Sequence, residues 1–160
     1  LLGSGTILRE VEAAAEMLAA DYEVRADVWS VTSFNELRRD GLEAQRWNLL
    51  HPQEKPRQSW IEQCLADARG PVIAATDYMK LFADQVRPFV RGTYRVLGAD
   101  GFGRSDSRKK LREFFEVDRR FIVVAALSAL ADEGKVERKL VADAIKRYGI
   151  DSDKRNPVRS

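Results

Sequence analysis

Tyr94-Arg95-Val96-Leu97-Gly98-Ala99-Asp100-Gly101-Phe102-Gly103-Arg104-Ser105-Asp106-Ser107-Arg108 is the stretch that decides the fold. Tyr94, Val96 and Leu97 have the chemistry of a short buried strand. Glycines at 98, 101 and 103 turn the chain, and Ser105, Asp106 and Ser107 are placed to cap a helix beginning near Arg108. Strand, glycine-rich turn and capped helix make one βα unit of an α/β sheet. Such a turn lies at the carboxyl end of its strand, where open α/β sheets keep their functional surface. The glycine spacing is G-x-x-G-x-G and not G-x-G-x-x-G, which argues against a dinucleotide site.

The chain on either side repeats this alternation. Leu1-Leu2 reads as the end of a strand, Gly3-Ser4-Gly5 as a turn, and positions 7, 8, 11, 14, 15 and 18 as the apolar face of a helix capped by Ser4 or Thr6. Residues 24–31 predict a second strand, with Val28, Trp29 and Val31 toward its buried end. Ser33 and Glu36 then form a capping-box pair, and Asp40-Gly41 weakens the helix they open without ending it. A further helix starts at Ser59, with Trp60, Ile61, Cys64 and Leu65 on one side. Val72-Ile73-Ala74-Ala75 is continuously apolar, as a strand buried on both faces of a parallel sheet should be. Asp77 is placed to cap the next helix, with Tyr78, Phe82, Val86 and Phe89 on one face, before Pro88 and Gly92. Beyond Arg108 come a short helix with Leu111, Phe114 and Phe115, a helix framed by Asp118 and Gly134, and a last one closed by Gly149. The predicted fold class is α/β, a three-layer α/β/α sandwich with a mostly parallel sheet of about four to five strands. Residues 1–150 read as a single domain and 151–160 as a polar C-terminal tail.

At 160 residues the chain can bury one sizeable core. Its 27 Lys and Arg against 25 Asp and Glu leave a net charge of +2, without the coherent basic face that nucleic acid requires. No apolar run approaches the roughly 20 residues needed to cross a bilayer. The single cysteine excludes an internal disulfide and suits a reducing compartment. A start at Leu1-Leu2, inside a strand and without an initiator Met, reads as a fragment of a longer chain.

Several stretches carry a resemblance. DGFGRSDSR (100–108), LLGSG (1–5), DVWSVTSFNELRRDG (27–41), RWNLLHPQEKPR (46–57), ATDYMKLFADQV (75–86) and VADAIKRYGIDSDKRNP (141–157) lie in order over nearly the whole chain. Together they resemble the C-terminal, transketolase-like domain of the homodimeric bacterial pyruvate dehydrogenases, the decarboxylating first component of the complex. The resemblance implies a five-stranded mixed sheet whose first, antiparallel strand precedes Leu1, leaving four parallel strands here. It implies a parent enzyme that binds thiamine diphosphate and Mg between its first two domains at the dimer interface. That enzyme decarboxylates pyruvate and acetylates lipoyl groups on an acetyltransferase component, in a bacterial cytoplasm. The partners implied are the remaining domains of the subunit, the homodimer partner and the acetyltransferase component. This chain itself is expected to hold no cofactor. Gly98-Ala99-Asp100-Gly101 is superficially similar to the family's diphosphate-and-metal motif but lacks the paired asparagines, so no catalytic, cofactor or metal residue is carried over.

The candidate contact residues are Ser4, Thr6, Thr32, Asp77, Tyr78, Lys80, Asp100 and Arg104, all following strands at one end of the sheet. If strand order reverses between the first and third strands, their turns flank a crevice. Helix capping accounts for most of the Ser, Thr and Asp residues. Lys80 and Arg104 need another explanation, and an ion pair to Asp77, Asp100 or a neighbouring subunit would supply one. The pattern favours a domain or subunit contact over a small-molecule site. His51 is a lone loop histidine and Cys64 lies on an apolar helix side, so both read as structural. Two other readings stay open: an autonomous phosphate- or nucleotide-binding module built on Gly3-Ser4-Gly5, and an interaction domain whose basic patch from Arg104 to Arg112 docks an acidic partner.

Overall fold

A computed structural model describes residues 1–159; Ser160, at the end of the expected tail, lies outside the described residues. Four strands, β1 (Leu2–Ser4), β2 (Trp29–Val31), β3 (Val72–Ala75) and β4 (Tyr94–Leu97), form one parallel sheet in the order β2-β1-β3-β4. The register pairs Leu2 with Trp29 on one side and with Ala74 on the other, and Val72 with Tyr94. The order reverses between β1 and β3, as the crevice argument requires.

Helices α1 (Leu8–Tyr22), α6 (Arg119–Asp132) and α7 (Arg138–Arg147) cover one face; α2 (Phe34–Leu50), α3 (Trp60–Cys64) and α4 (Lys80–Asp84) cover the other. The two-residue period of a strand divides β3 between these layers. Ile73 and Ala75 pack with Ile7, Val11, Leu18, Ile122 and Leu127, and Val72 and Ala74 pack with Phe34, Ile61, Ala83, Val86 and Phe89. Every residue of β3 is buried, which is why its sequence is apolar without alternation.

Local chemistry sets most helix starts. Ser33 Oγ accepts from the Glu36 amide, Ser59 and Glu62 form a complete capping box, Ser107 Oγ accepts from the Lys110 amide to open α5 (Arg108–Phe114), and the Asp118 carboxylate accepts from the amides of Arg120 and Phe121. Four expectations change. The second strand is only Trp29–Val31, because α1 runs to Tyr22 and exits through left-handed Glu23, after which Val24 packs beneath α1 and α6. Val28 and Trp29 are half exposed at the open edge of the sheet. Neither Ser4 nor Thr6 caps the first helix with its side chain, and Asp77 does not cap α4.

Residues 151–159 pack against the domain. Lys154 Nζ donates to the carbonyls of Glu113 and Phe114 (3.1 and 2.6 Å) at the end of α5. The Pro157 carbonyl oxygen lies 2.5 Å from where a Cβ on Gly101 would sit, so the tail closes over the glycine-rich turn.

Gly41 also has a physical reason. A Cβ there would stand 2.5 Å from the Phe89 ring, so glycine lets α2 lie against that buried ring. Gly41→Ala is expected to lower unfolding free energy by about 2 kcal/mol through overpacking. Gly70→Ala, where a Cβ meets nothing within 4 Å, is expected to be neutral or slightly stabilising. Urea denaturation of both variants checks the contrast.

Candidate functional site

The carboxyl ends of β1 and β3 part at the switch point, and the crevice there is about 390 Å³. It is lined by Thr6, Asp77, Arg108 and Arg112 among the apolar side chains Ile7, Leu111, Phe115 and Val117. Thr6 Oγ1 donates to Asp77 Oδ2 at 3.2 Å, so two candidates meet across the crevice. The Asp77 carboxylate stands 3.2 Å from where a Cβ on Gly5 would be. An anion placed on the Gly3–Gly5 turn would face that negative charge, which removes the physical basis of a phosphate site there.

Arg112 continues the network. Its guanidinium donates to Glu10 Oε1 at 2.8 Å and to the carbonyl and hydroxyl of Thr6 at 3.4 and 3.3 Å. Arg119 completes it, with its amide and Nε donating to Glu10 Oε2 at 3.1 and 2.9 Å. Glu10 is 6% exposed, on a helix face that otherwise carries Ile7, Val11, Ala14 and Leu18. Burial pushes its carboxyl upward, but the hydrogen bonds from Arg119 and the charges of Arg119 and Arg112 outweigh it. The carboxyl is held below its ordinary range.

The remaining candidates fall into separate places. Ser4 ends β1, half-buried. The Lys80 amide donates to Asp100 Oδ1 at 2.9 Å, and the Ala99 amide to the Tyr78 carbonyl at 2.9 Å, so the β4 loop holds the start of α4. Asp100 thus does the work expected of Asp77. Tyr78 is exposed and tilted against Phe82. Arg104 pairs with neither Asp77 nor Asp100; its guanidinium lies 4.0 Å over the Phe114 ring. Thr32 stands apart, in a groove of about 540 Å³ beside edge strand β2, with Trp29, Asp40, Trp60 and half-buried Cys64. His51 stacks on Trp47, and the Arg57 guanidinium also lies over the Trp47 ring at 3.9 Å.

Glu10 and Arg119 were not among the residues singled out from the sequence, and Arg112 was read only as the end of the basic patch. The available signal was an acidic residue at position 10 inside the stripe 7, 11, 14, 18, since a buried carboxylate needs cationic partners.

Residues 1–118 match the family model described as a transketolase-like TK C-terminal domain. The chain belongs to that family. This transketolase-like domain is 67% identical over 159 residues to the pyruvate dehydrogenase E1 component of Pseudomonas aeruginosa, covering 99% of the chain and 18% of that protein. It is 61% identical to the same component of Escherichia coli K12 and 59% identical to that of Cupriavidus necator, each over 158 residues. Those matches cover 98% and 99% of the chain, respectively, and 18% of each relative. The chain therefore spans about a fifth of the length of these curated relatives. No helix among the described residues is long and apolar enough to cross a membrane.

Glu10→Ala is expected to cost about 3 kcal/mol at pH 7, because two guanidinium groups lose a buried partner. A carboxyl held below its ordinary value of 4.5 contributes stability in full above that pH and loses it as pH falls through the folded value. The gap between wild type and Glu10→Ala should narrow below about pH 4 in urea titrations run at several pH values. A gap that stays constant on acidification would contradict the ionised triad.

Proposed function

We propose that this domain is the C-terminal scaffold of a thiamine diphosphate-dependent pyruvate dehydrogenase (acetyl-transferring) subunit. In the whole protein, pyruvate is decarboxylated and lipoyl groups of the acetyltransferase component are acetylated on domains outside this chain, in the bacterial cytoplasm. This domain contributes contacts to those domains and to the second subunit of a homodimer. The observation that carries the reading is 67% identity over 99% of the chain to one end-to-end segment of an E1 component.

The polar groups at the sheet's carboxyl end support a contact role. Thiamine diphosphate and Mg do not fit them: the Asp100 carboxylate is engaged by the Lys80 amide, Gly101 is covered by the Pro157 carbonyl, and Gly5 faces Asp77. No catalytic step is assigned to these residues. Ser4, Thr6, Asp77, Tyr78, Lys80 and Asp100 line one contact surface with Arg104 at its margin, where exposed Tyr78, Met79 and Leu81 supply apolar area. Thr32 belongs to a second surface along β2, whose outer edge is unpaired and bordered by exposed Trp29 and Trp60. An edge of this kind accepts a further strand, and the antiparallel strand of the preceding segment is the occupant proposed.

Calorimetric titration with thiamine diphosphate and Mg tests the reading. Heat of saturable binding is expected from the full-length protein and none from this 160-residue chain. Saturable binding to this chain would overturn the scaffold assignment and direct mutagenesis to the turns at Gly3–Gly5 and Gly98–Gly103.

A further inference from the structure

Charge is concentrated in one segment. Residues 104–120 hold seven Arg or Lys against four Asp or Glu, so a net +3 resides there in a chain whose total is +2. The structure sorts these cations into two rows. The inner row is neutralised: Arg112 and Arg119 grip Glu10, and Arg120 donates to Asp118 at 3.0 and 2.6 Å; exposed Lys110 is paired as well, with Glu113 at 3.5 Å. The outer row is not. The side chains of Arg108 and Lys109 make no hydrogen bond or ion pair among the described residues, and the Arg104 guanidinium only lies over Phe114.

Stability does not explain the outer row. α5 has no acidic residue in its first turn, where negative charge is favourable, and instead begins Arg108-Lys109-Lys110. It fully buries none of its residues. Two residues before Arg104, Phe102 is 80% exposed on the glycine-rich loop, so the segment that leads into the unpaired cations carries an exposed apolar ring. Exposed aromatic and arginine side chains side by side are the composition of protein-binding centres.

We propose that α5 and the loop before it dock an acidic face of a separate protein. Carboxylates Asp106 and Glu113 interrupt the cations, which breaks the continuous positive track that a phosphate backbone follows. Permanent contacts within a chain or dimer are depleted of charge at their centre, whereas an unpaired, salt-sensitive surface suits a partner that comes and goes. The inference does not rest on the scaffold reading above.

The test uses the full-length protein that carries this domain, with labelled poly-L-glutamate as probe and labelled short duplex DNA as comparison. The double reversal Arg108→Glu/Lys109→Glu is expected to weaken polyglutamate binding about tenfold. The same charge change at Lys55→Glu/Lys139→Glu is expected to alter it less than about twofold. Glutamates suit the first turn of α5, so the first double variant should melt no lower than wild type. Lys109 should be acylated in the free protein and protected by the probe. Equal losses from both double variants, no binding, tighter binding to DNA, or an unreactive Lys109 in the free full-length protein would each overturn the proposal.

Discussion

The carboxylate of Glu10 is the constraint on which the arrangement of helices depends. It lies on the buried face of α1, where an unpaired charge would destabilise the fold severely. Two guanidinium groups answer it, one from α5 and one from the start of α6, more than 100 residues along the chain. Because α6 also packs along α1 through Ile122, Val123 and Leu127, the ion triad fixes one end of a contact that apolar burial secures along its length. Specificity rather than net energy is the better description of its role, since a buried ion pair often gains little over apolar packing of the same volume. What it supplies is one anchor for α5, an element with no fully buried residue, whose other end is held by Lys154.

That placement shapes the carboxyl end of the sheet. Arg112 reaches from the triad to Thr6, Thr6 donates to Asp77, and the β4 loop caps α4 through Asp100. Thr6, Asp77, Asp100 and Arg112 thus satisfy groups of the same domain. The crevice that open α/β sheets use for ligands is crossed by internal hydrogen bonds, and the surfaces with the most exposed apolar or unpaired charged groups lie at its rim and beyond it. They are the unpaired edge of β2 with its two tryptophans, the exposed Tyr78–Leu81 segment, and the cationic outer row of α5.

The parts of the fold most legible in the sequence were those decided by local chemistry. Val72–Ala75 declares itself because residues buried on both faces must be apolar, and Tyr94–Leu97 because a short strand leads straight into a glycine-rich turn. Ser33, Ser59, Ser107 and Asp118 sit directly before their helices and cap them. Asp77 misled because a carboxylate three residues ahead of a helix looks the same in sequence whether it bonds the next turn or, as here, a threonine 71 residues away. The second strand was drawn too long because Val24 is apolar for a different reason, packing on the α1/α6 core below the sheet. Of the candidate site, the shared end of the sheet was legible from strand order alone. The grouping of Thr6 with Asp77 and Arg112, and the isolation of Thr32 and Arg104, required the third dimension.

Hydrogen exchange compared between this chain and the full-length protein tests most directly whether the domain acts through its surfaces. The account predicts that amides in 28–32 and 77–81 exchange markedly more slowly in the full-length protein, while those of β3 are equally protected in both. Identical exchange at 28–32 and 77–81 in the two forms would mean that neither surface is covered, and would contradict the assignment of this domain as a contact scaffold.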